Sequence, residues 1–305
     1  MGATTTVAAA PAEIVAIPAG RTRLGSVLAY LSRNPQLVIG LAMLLALLVV
    51  DPIGSRLIDV RRAEPLSELP RLAPSWELPL GTDDQGRNLL AVLVAGLTLT
   101  LKVGFLAGAI GLAIGIVLGF LAGYLGGPVD AVIRMAVDTL LTVPALLVLI
   151  IIAASIKGVI SVATMALVIA SLAWMYPTRT IRSQVLTMRE RPYIYVARFN
   201  GMGEFQIIIR EIAPNLLPYL AAAFVSSVSS AVLASVGLEA LGLGPQSEPT
   251  VGMTIYWSLH FNALLRGMWW WWVPPIVVVV SLFVGLFLIS SGLDEIANPR
   301  RRRRA

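Results

Sequence analysis

Residues 189–218 read RERPYIYVARFNGMGEFQIIIREIAPNLLP, a polar, glycine-punctuated stretch in a chain that is otherwise overwhelmingly apolar. Its surroundings define it. Of 305 residues, 57% are hydrophobic and 13% are charged, and the mean hydropathy is +0.83. A soluble domain carries about 25% charged residues, so half that fraction points to lipid as the solvent. The net charge of +6 includes five arginines at 300–304. With that tail removed the chain is close to neutral, and no basic stripe interleaved with aromatics remains to suggest nucleic acid. There is no cysteine, which excludes disulfides, thiolate metal sites and cysteine nucleophiles.

A membrane-spanning helix needs about 20 mostly apolar residues. Six stretches approach this: 35–54, 103–129, 139–156, 158–178, 212–238 and 267–293. The expected fold class is therefore an all-α polytopic membrane protein with six transmembrane helices. An even number of spans puts both termini on one side. With the termini inside, the inner segments hold Arg21, Arg23, Arg33, Arg134, Arg179, Arg182, Arg189, Arg191, Arg198, Arg210 and the tail arginines. Positive residues favour the cytoplasmic face, so both termini and the 189–218 stretch are expected in the cytoplasm. The divisions that follow are a flexible cytoplasmic tail at 1–34 and a first span with its outer loop at 35–94. Next come a core of five spans at 95–298, which contains the cytoplasmic loop 179–211, and a basic tail at 299–305.

Glycines 104, 108, 111, 115 and 119 lie near one face of the second span. Small residues at this spacing let helix backbones approach closely in lipid; a glycine-lined substrate path is the alternative. None of the second to sixth spans carries a charge near its middle, unlike many ion-coupled carriers. The single histidine is His260, and no H-E-x-x-H, G-x-S-x-G or Walker A pattern occurs. The chain therefore shows no catalytic residues, no metal ligands, no cofactor-binding motif and no energy source of its own.

The 189–218 stretch itself reads as helix, turn, helix. Pro192 suits a first helical turn, Asn200, Gly201 and Gly203 break the helix, and Ile207 to Glu211 lead through Pro214 into the fifth span. Ala197 and Gly201, four apart, are expected on one face as a shallow spot for a partner. Physics alone also allows a solvated loop hugging lipid headgroups.

The pattern ARFNGMGEFQIIIREIAP resembles the cytoplasmic E-A-A loop of permease subunits of binding-protein-dependent ABC importers. Ala197, Gly201, Ile212 and Pro214 match the loop's alanine, glycine, isoleucine and proline. Tyr195 and Val196 stand where glutamate and alanine are usual, and Ala213 replaces a leucine. Further blocks are similar to the C-type permeases of the dipeptide, oligopeptide and nickel branch: LGTDDQGRNLLAVLVAGLTLTLKVG, GYLGGPVDAVIRMAVDTLLTVPALL, SVGLEALGLGPQ and GLDEIANPR. The resemblance implies the type I permease fold and a non-catalytic subunit forming half of a translocation pathway for di- and oligopeptides. It implies as partners a homologous second permease, two ATP-binding subunits that hold ATP and magnesium, and an extracytoplasmic solute-binding protein. It assigns Tyr195, Val196, Ala197, Arg198, Asn200, Gly201, Gly203, Ile212 and Pro214 to coupling with the ATPase. Oligosaccharides are the alternative cargo, because VGMTIYWS followed by WWWWVPP departs from the commoner peptide-permease pattern. An ion-coupled carrier or channel acting alone is the rival from another class.

Four smaller features complete the reading. Asp130, Arg134 and Asp138 fit ordinary i,i+4 pairing. Trp269 to Trp272 fit an aromatic belt at the outer interface. The segment IYWSLHFNALL fits an amphipathic helix resting on the outer surface, which makes Tyr256, Trp257 and His260 candidates for binding-protein docking or an outer gate. Thr82, Asp83, Asp84 and Gly86 read as an N-cap and turn before the second span.

Overall fold

The computed structural model describes residues 34–297. The expected N-terminal tail up to Arg33, with Arg21 and Arg23, and the basic tail at 299–305 lie outside the described residues. In chain order the helices are α1 Pro35–Leu57, a 3-10 turn Val60–Ala63, α2 Leu89–Leu125, α3 Gly127–Thr142, α4 Ala145–Ser155, α5 Val162–Ala173 and α6 Met175–Arg189. They continue with α7 Pro192–Phe199, α8 Glu204–Ile207, a π turn Ile208–Ile212, α9 Ala213–Ala240, α10 Val251–His260 and α11 Trp269–Ala297. Among the described residues the one extended pairing is an isolated bridge between Thr82 and Asn88. The chain is all-helical, as its apolar runs predict.

Four rods are each long and apolar enough to cross a bilayer: α1, α2, the unbroken helix Glu204–Ala240 and most of α11. The pair α3 and α4, bent by 85°, makes a fifth if counted as one span. The apolar helix α5 has 12 residues. The straight spans expected at 139–156 and 158–178 are therefore where sequence and structure part. Proline disfavours helical backbone at the residue before it, and Val143, before Pro144, is extended at φ −86 and ψ 131. Trp174 separates apolar α5 from α6.

The second span is longer than its charge-free core. Helix α2 begins at Leu89, takes Lys102 into its interior and runs for 37 residues. That is about 55 Å at 1.5 Å per residue, against a hydrocarbon core of about 30 Å. Its N-cap is Asn88, whose Oδ1 accepts from the backbone N–H of Leu90 at 3.0 Å and Ala91 at 3.3 Å. The Thr82–Gly86 turn only precedes the cap, and the division drawn at residue 94 falls inside α2.

The glycine face of α2 is a packing face. Gly104 and Gly108 lie against Val232 and Val228 of α9, and Gly111, Gly115 and Gly119 against Ala173, Pro177 and Ile181. A Cβ on Gly108 would sit 2.8 Å from the Val228 backbone, so any side chain there forces the helices apart. Close backbone approach supplies the dispersion contacts that substitute for a hydrophobic drive inside lipid. With α5 and α6 on one side and α9 on the other, α2 is the central post.

The post has two distinct ends. At its C-terminus Tyr124 packs with Ile194, Ala197, Ile207, Ile212 and Leu216. At its N-terminus Leu89 packs with Ala263, Met268 and Trp271. Helix α1 runs alongside α11, with Gly40 against Gly285 and Leu37 against Gly292, while Gly54 abuts Val94 near the start of α2. Both ends of the described chain thus lie together, away from α10.

Candidate functional surfaces

Helix α7 starts with Pro192 in its first turn, where the missing N–H is not needed. It ends in a glycine stop. Gly201 has φ +80; its N–H donates to Arg198 O at 2.9 Å and that of Met202 to Ala197 O at 3.1 Å. This pair of bonds is the Schellman arrangement, which satisfies carbonyls left over at a helix end. The stop changes the reading of two residues. Ala197 is buried beneath α7, while Gly201 has left the helix and has nothing within 4 Å of where a Cβ would be. They do not share the face that their spacing predicts, because the helix ends at Phe199.

The outward face is instead built from Tyr195, Val196 and Phe199, continued by Phe205 and Ile209. Phe199 is 90% exposed and Phe205 74%. Arg191, Arg198 and Arg210 are exposed beside them. A contiguous apolar patch with a charged rim marks a protein or membrane contact. Behind it the segment is firmly seated. Arg198 lies 5.7 Å from the centre of the Tyr124 ring and 3.7 Å from the Glu204 carboxylate. Arg189 donates to Tyr124 O at 3.0 Å, at the last turn of α2. The Tyr195 hydroxyl donates to Glu190 at 2.7 Å. That bond, with Arg189 beside it, holds the Glu190 carboxyl below the ordinary carboxylate range.

Asn200 is the C-cap of α7 and Gly203 the N-cap of α8. Ile212 is fully buried and Pro214 exposed. Proline cannot donate to the helix ladder, and the turn before Pro214 is a wide one: the Ala213 N–H reaches back five residues to Ile208 O. The helix thereby passes Pro214 without breaking. Asp130, expected to pair with Arg134, makes its ion pair with Arg182 across the α3–α6 contact, with Nη2 donating to Oδ2 at 2.6 Å.

At the opposite end Tyr256, Trp257 and His260 do come together. Tyr256 stacks on His260 at 5.5 Å between ring centres, Trp257 stacks on Phe261 at 5.8 Å, and Phe261 stacks on Trp271 at 6.0 Å. His260 is exposed and Trp271 fully buried. The four tryptophans are therefore not a uniform belt, since Trp271 is a core residue and Trp269 lies half exposed. Nor does α10 rest on the surface: Val251 to Thr254 and Ser258 are buried. The loop before α2 closes on this end through Asp84, which accepts from Arg71 and, at 2.8 Å, from Arg266. These arginines, Arg71 foremost, hold the Asp84 carboxyl below its ordinary value.

Between the ends, α4, α5, α6 and α9, with Leu141 of α3 and Asp294 of α11, line an open-sided cavity of about 480 Å³. Apolar side chains dominate its wall, but Tyr176, Thr180, Tyr219, Ser226, Ser227 and Ser230 bring hydroxyls to it. Among the described residues Asp294 is its one charged lining residue. The sequence reading singled out none of these serines, because a serine in an apolar helix has no signature until its neighbours are known.

The sequence profile of the family described as binding-protein-dependent transport system inner membrane component matches residues 115–303, more than half of the chain. The chain belongs to this family. The match covers the α7 loop, the cavity and α10. As a binding-protein-dependent transport permease, the chain is a multi-pass inner-membrane component. Its relatives include the oligopeptide transport system permease protein OppC of Mycobacterium tuberculosis, 29% identical over 167 residues that make up 55% of this chain and 57% of the relative. A Brucella abortus protein named as a peptide permease is 30% identical over 183 residues, 56% of each chain. The dipeptide transport system permease protein DppC of Alkalihalophilus pseudofirmus is 29% identical over 217 residues, 71% of each. The chain thus matches little more than half the length of the first two.

Proposed function

We propose that this permease forms half of the translocation pathway of an ATP-driven importer, paired with a homologous second permease. Two ATP-binding subunits would hold ATP and magnesium at the α7 end, and an extracytoplasmic solute-binding protein would deliver cargo at the α10 end. The chain itself supplies no catalytic group. Both termini and α7 face the cytoplasm, in a bacterial or archaeal inner membrane. One observation carries this reading: a short helix, seated on the core by Ile194 and Ala197, turns Tyr195, Val196 and Phe199 outward beside the start of the unbroken helix Glu204–Ala240. A push on that face is a push on a rod that passes the cavity and ends at the other side. Val196 and Phe199 supply the contact, Gly201 and Gly203 the turn, and Ile212 and Pro214 the entry to the rod.

The proposed cargo is a di- or oligopeptide, by the names of the relatives. The cavity supports oligosaccharides as a second reading. Its hydroxyls both donate and accept, as a sugar's do, and among the described residues no lysine or arginine lines it to await a peptide carboxylate. Native purification from solubilised membranes, with mass spectrometry of the co-eluting chains, tests the assembly. Recovery of a second permease, ATP-binding subunits and a solute-binding protein is the expected result. Elution as a solitary chain or homo-oligomer would return the carrier or channel to the lead. Uptake of triglycine against cellotriose by the reconstituted complex then decides the cargo.

A further inference from the structure

The rod Glu204–Ala240 ends beside α10, where Val236 and Val251 share one apolar cluster, and the polar part of the join is made by one side chain. Glu239 is fully buried. Its Oε1 accepts from Ser235 Oγ at 2.6 Å, one turn back on α9, and its Oε2 accepts from Thr250 Oγ1 at 2.6 Å. The backbone of Gly252, in the first turn of α10, lies against the same carboxyl. Thr250 is the N-cap of α10 and accepts in turn from the Met253 N–H at 3.2 Å. The first N–H of α10, at Val251, donates to Thr100 Oγ1 of α2 at 3.1 Å.

The first four N–H groups of any helix lack partners within it. Here Val251 donates to Thr100 of α2, and Met253 and Thr254 donate to the cap residue Thr250, which Glu239 of α9 holds in place by its hydroxyl; the site is buried, where an unmet donor is costly. The slot is cut for this residue. A Cβ on Gly252 would fall 2.3 Å from Glu239 Oε2, and one on Gly244 would fall 2.5 Å from Glu239 Cγ. The covalent connection, residues 241–250, is by contrast non-helical. Without the carboxyl, the α9–α10 contact would rest on apolar packing alone, which permits sliding, while Val251 stayed bonded to Thr100 of α2.

We propose that Glu239 is a positioning residue that makes α10 move with the rod, so that displacement at the α7 face reaches Tyr256, Trp257 and His260 as one rigid-body motion. This rests on the reading of α7 as the ATPase contact. In the reverse direction, a solute-binding protein docking at α10 signals through the same joint to the ATPase. Gln at 239 keeps an oxygen that accepts from one of the Ser235 and Thr250 hydroxyls and an amide N–H that donates to the other. Leu at 239 keeps the bulk and loses every bond.

The test uses the complete importer in lipid nanodiscs with its binding protein. Because the chain has no cysteine, spin labels can be placed at exposed Leu259 of α10, Leu217 of α9 and Leu121 of α2. In the natural chain the 217–259 distance stays constant between nucleotide-free and nucleotide-trapped states while the 121–259 distance changes. Glu239→Leu is expected to broaden the first and abolish the change in the second. It should lower binding-protein-stimulated ATP hydrolysis about tenfold with basal hydrolysis intact, and Glu239→Gln should restore stimulation. A Glu239→Leu protein with normal nucleotide-dependent motion and stimulation overturns the proposal. So does one that loses basal and stimulated rates in equal proportion, the mark of a merely structural cap. If Glu239→Leu does not assemble, Ser235→Ala and Thr250→Val, each removing one hydroxyl donor, must lower stimulation in steps; unchanged stimulation in both overturns it equally. A natural chain that binds no ATPase would instead defeat the reading of α7, a separate failure.

Discussion

The α7 end and the α10 end of this permease are both rich in aromatic residues and use them in opposite ways. At the α7 end Phe199 and Phe205 stand almost free of the protein, while at the α10 end Trp271 is fully buried under stacked Phe261. Polar groups pair at both ends but differ in what they enclose. Around α10 they close on each other through Asp84 with Arg266, Thr100 with Val251 and Glu239 with Thr250. Around α7 the polar contacts of Arg189, Arg198 and Tyr195 lie behind or beside the helix and leave Val196, Phe199 and Phe205 exposed. Permanent interfaces are more hydrophobic than transient ones. In the proposed importer the difference then has a cause: a standing ATPase can cover an apolar face, whereas an end visited by a binding protein must be complete without it.

The largest effect that could break this comparison is at Trp271. Truncating a fully buried tryptophan costs about 3–5 kcal/mol, so Trp271→Ala should sharply lower the unfolding midpoint in detergent. A near-neutral result would mean that the α10 end is not internally packed. Phe199→Asp is the converse. With the side chain 90% exposed, stability should change by less than about 0.5 kcal/mol. Affinity for the ATP-binding subunit should fall at least thirtyfold, corresponding to an aromatic anchor of about 2 kcal/mol. Titration of labelled ATPase onto nanodiscs measures this. Unaltered binding would show that the α7 face covers lipid headgroups.

Gly201 sharpens the comparison at a smaller scale. At its left-handed φ, Gly201→Ala should cost about 1 kcal/mol, while Gly201→Asn should cost less because asparagine tolerates this backbone. If Asn couples normally and Ala poorly, the residue acts through the shape of the turn. If both fail, its open side is a contact point, as the spacing with Ala197 first suggested.

What could be read in advance follows a physical rule. Patterns set by local chemistry were legible: the apolar runs, the glycine face of α2, Pro192 before α7 and the glycine stop after it. The 85° bend at Pro144 was signalled by the proline itself, yet the apolar run on both sides of it hid the break. Which face of α7 points outward was not legible, because eight residues allow several apolar stripes and only Tyr124, Ile207 and Ile212 select one. Glu239 was hidden for a different reason. A lone acid at the end of an apolar run reads as a water-facing terminus until α10 folds over it. The cavity serines belong to the same class, since their meaning lies in helices distant along the chain.

The smallest expected effect is a dependence on pH at the α10 end. Arg71 and Arg266 hold the Asp84 carboxyl below its ordinary value. A group depressed on folding contributes stability above its unfolded pKa, about 3.9 for aspartate, and loses it as pH falls through the folded value. The contact between the loop before α2 and the loop after α10 should therefore hold from neutral pH to about pH 4 and weaken below it. Asp84→Asn should lower the unfolding midpoint slightly at neutral pH, and the gap from the natural chain should close on acidification. Screening matters as well, because both arginines are partly exposed, so high salt should narrow the same gap. A gap that persisted in acid would mean that shape rather than charge joins the two loops. The α10 end would then be complete by packing alone, and its contrast with the open α7 face would rest on Trp271 and Glu239.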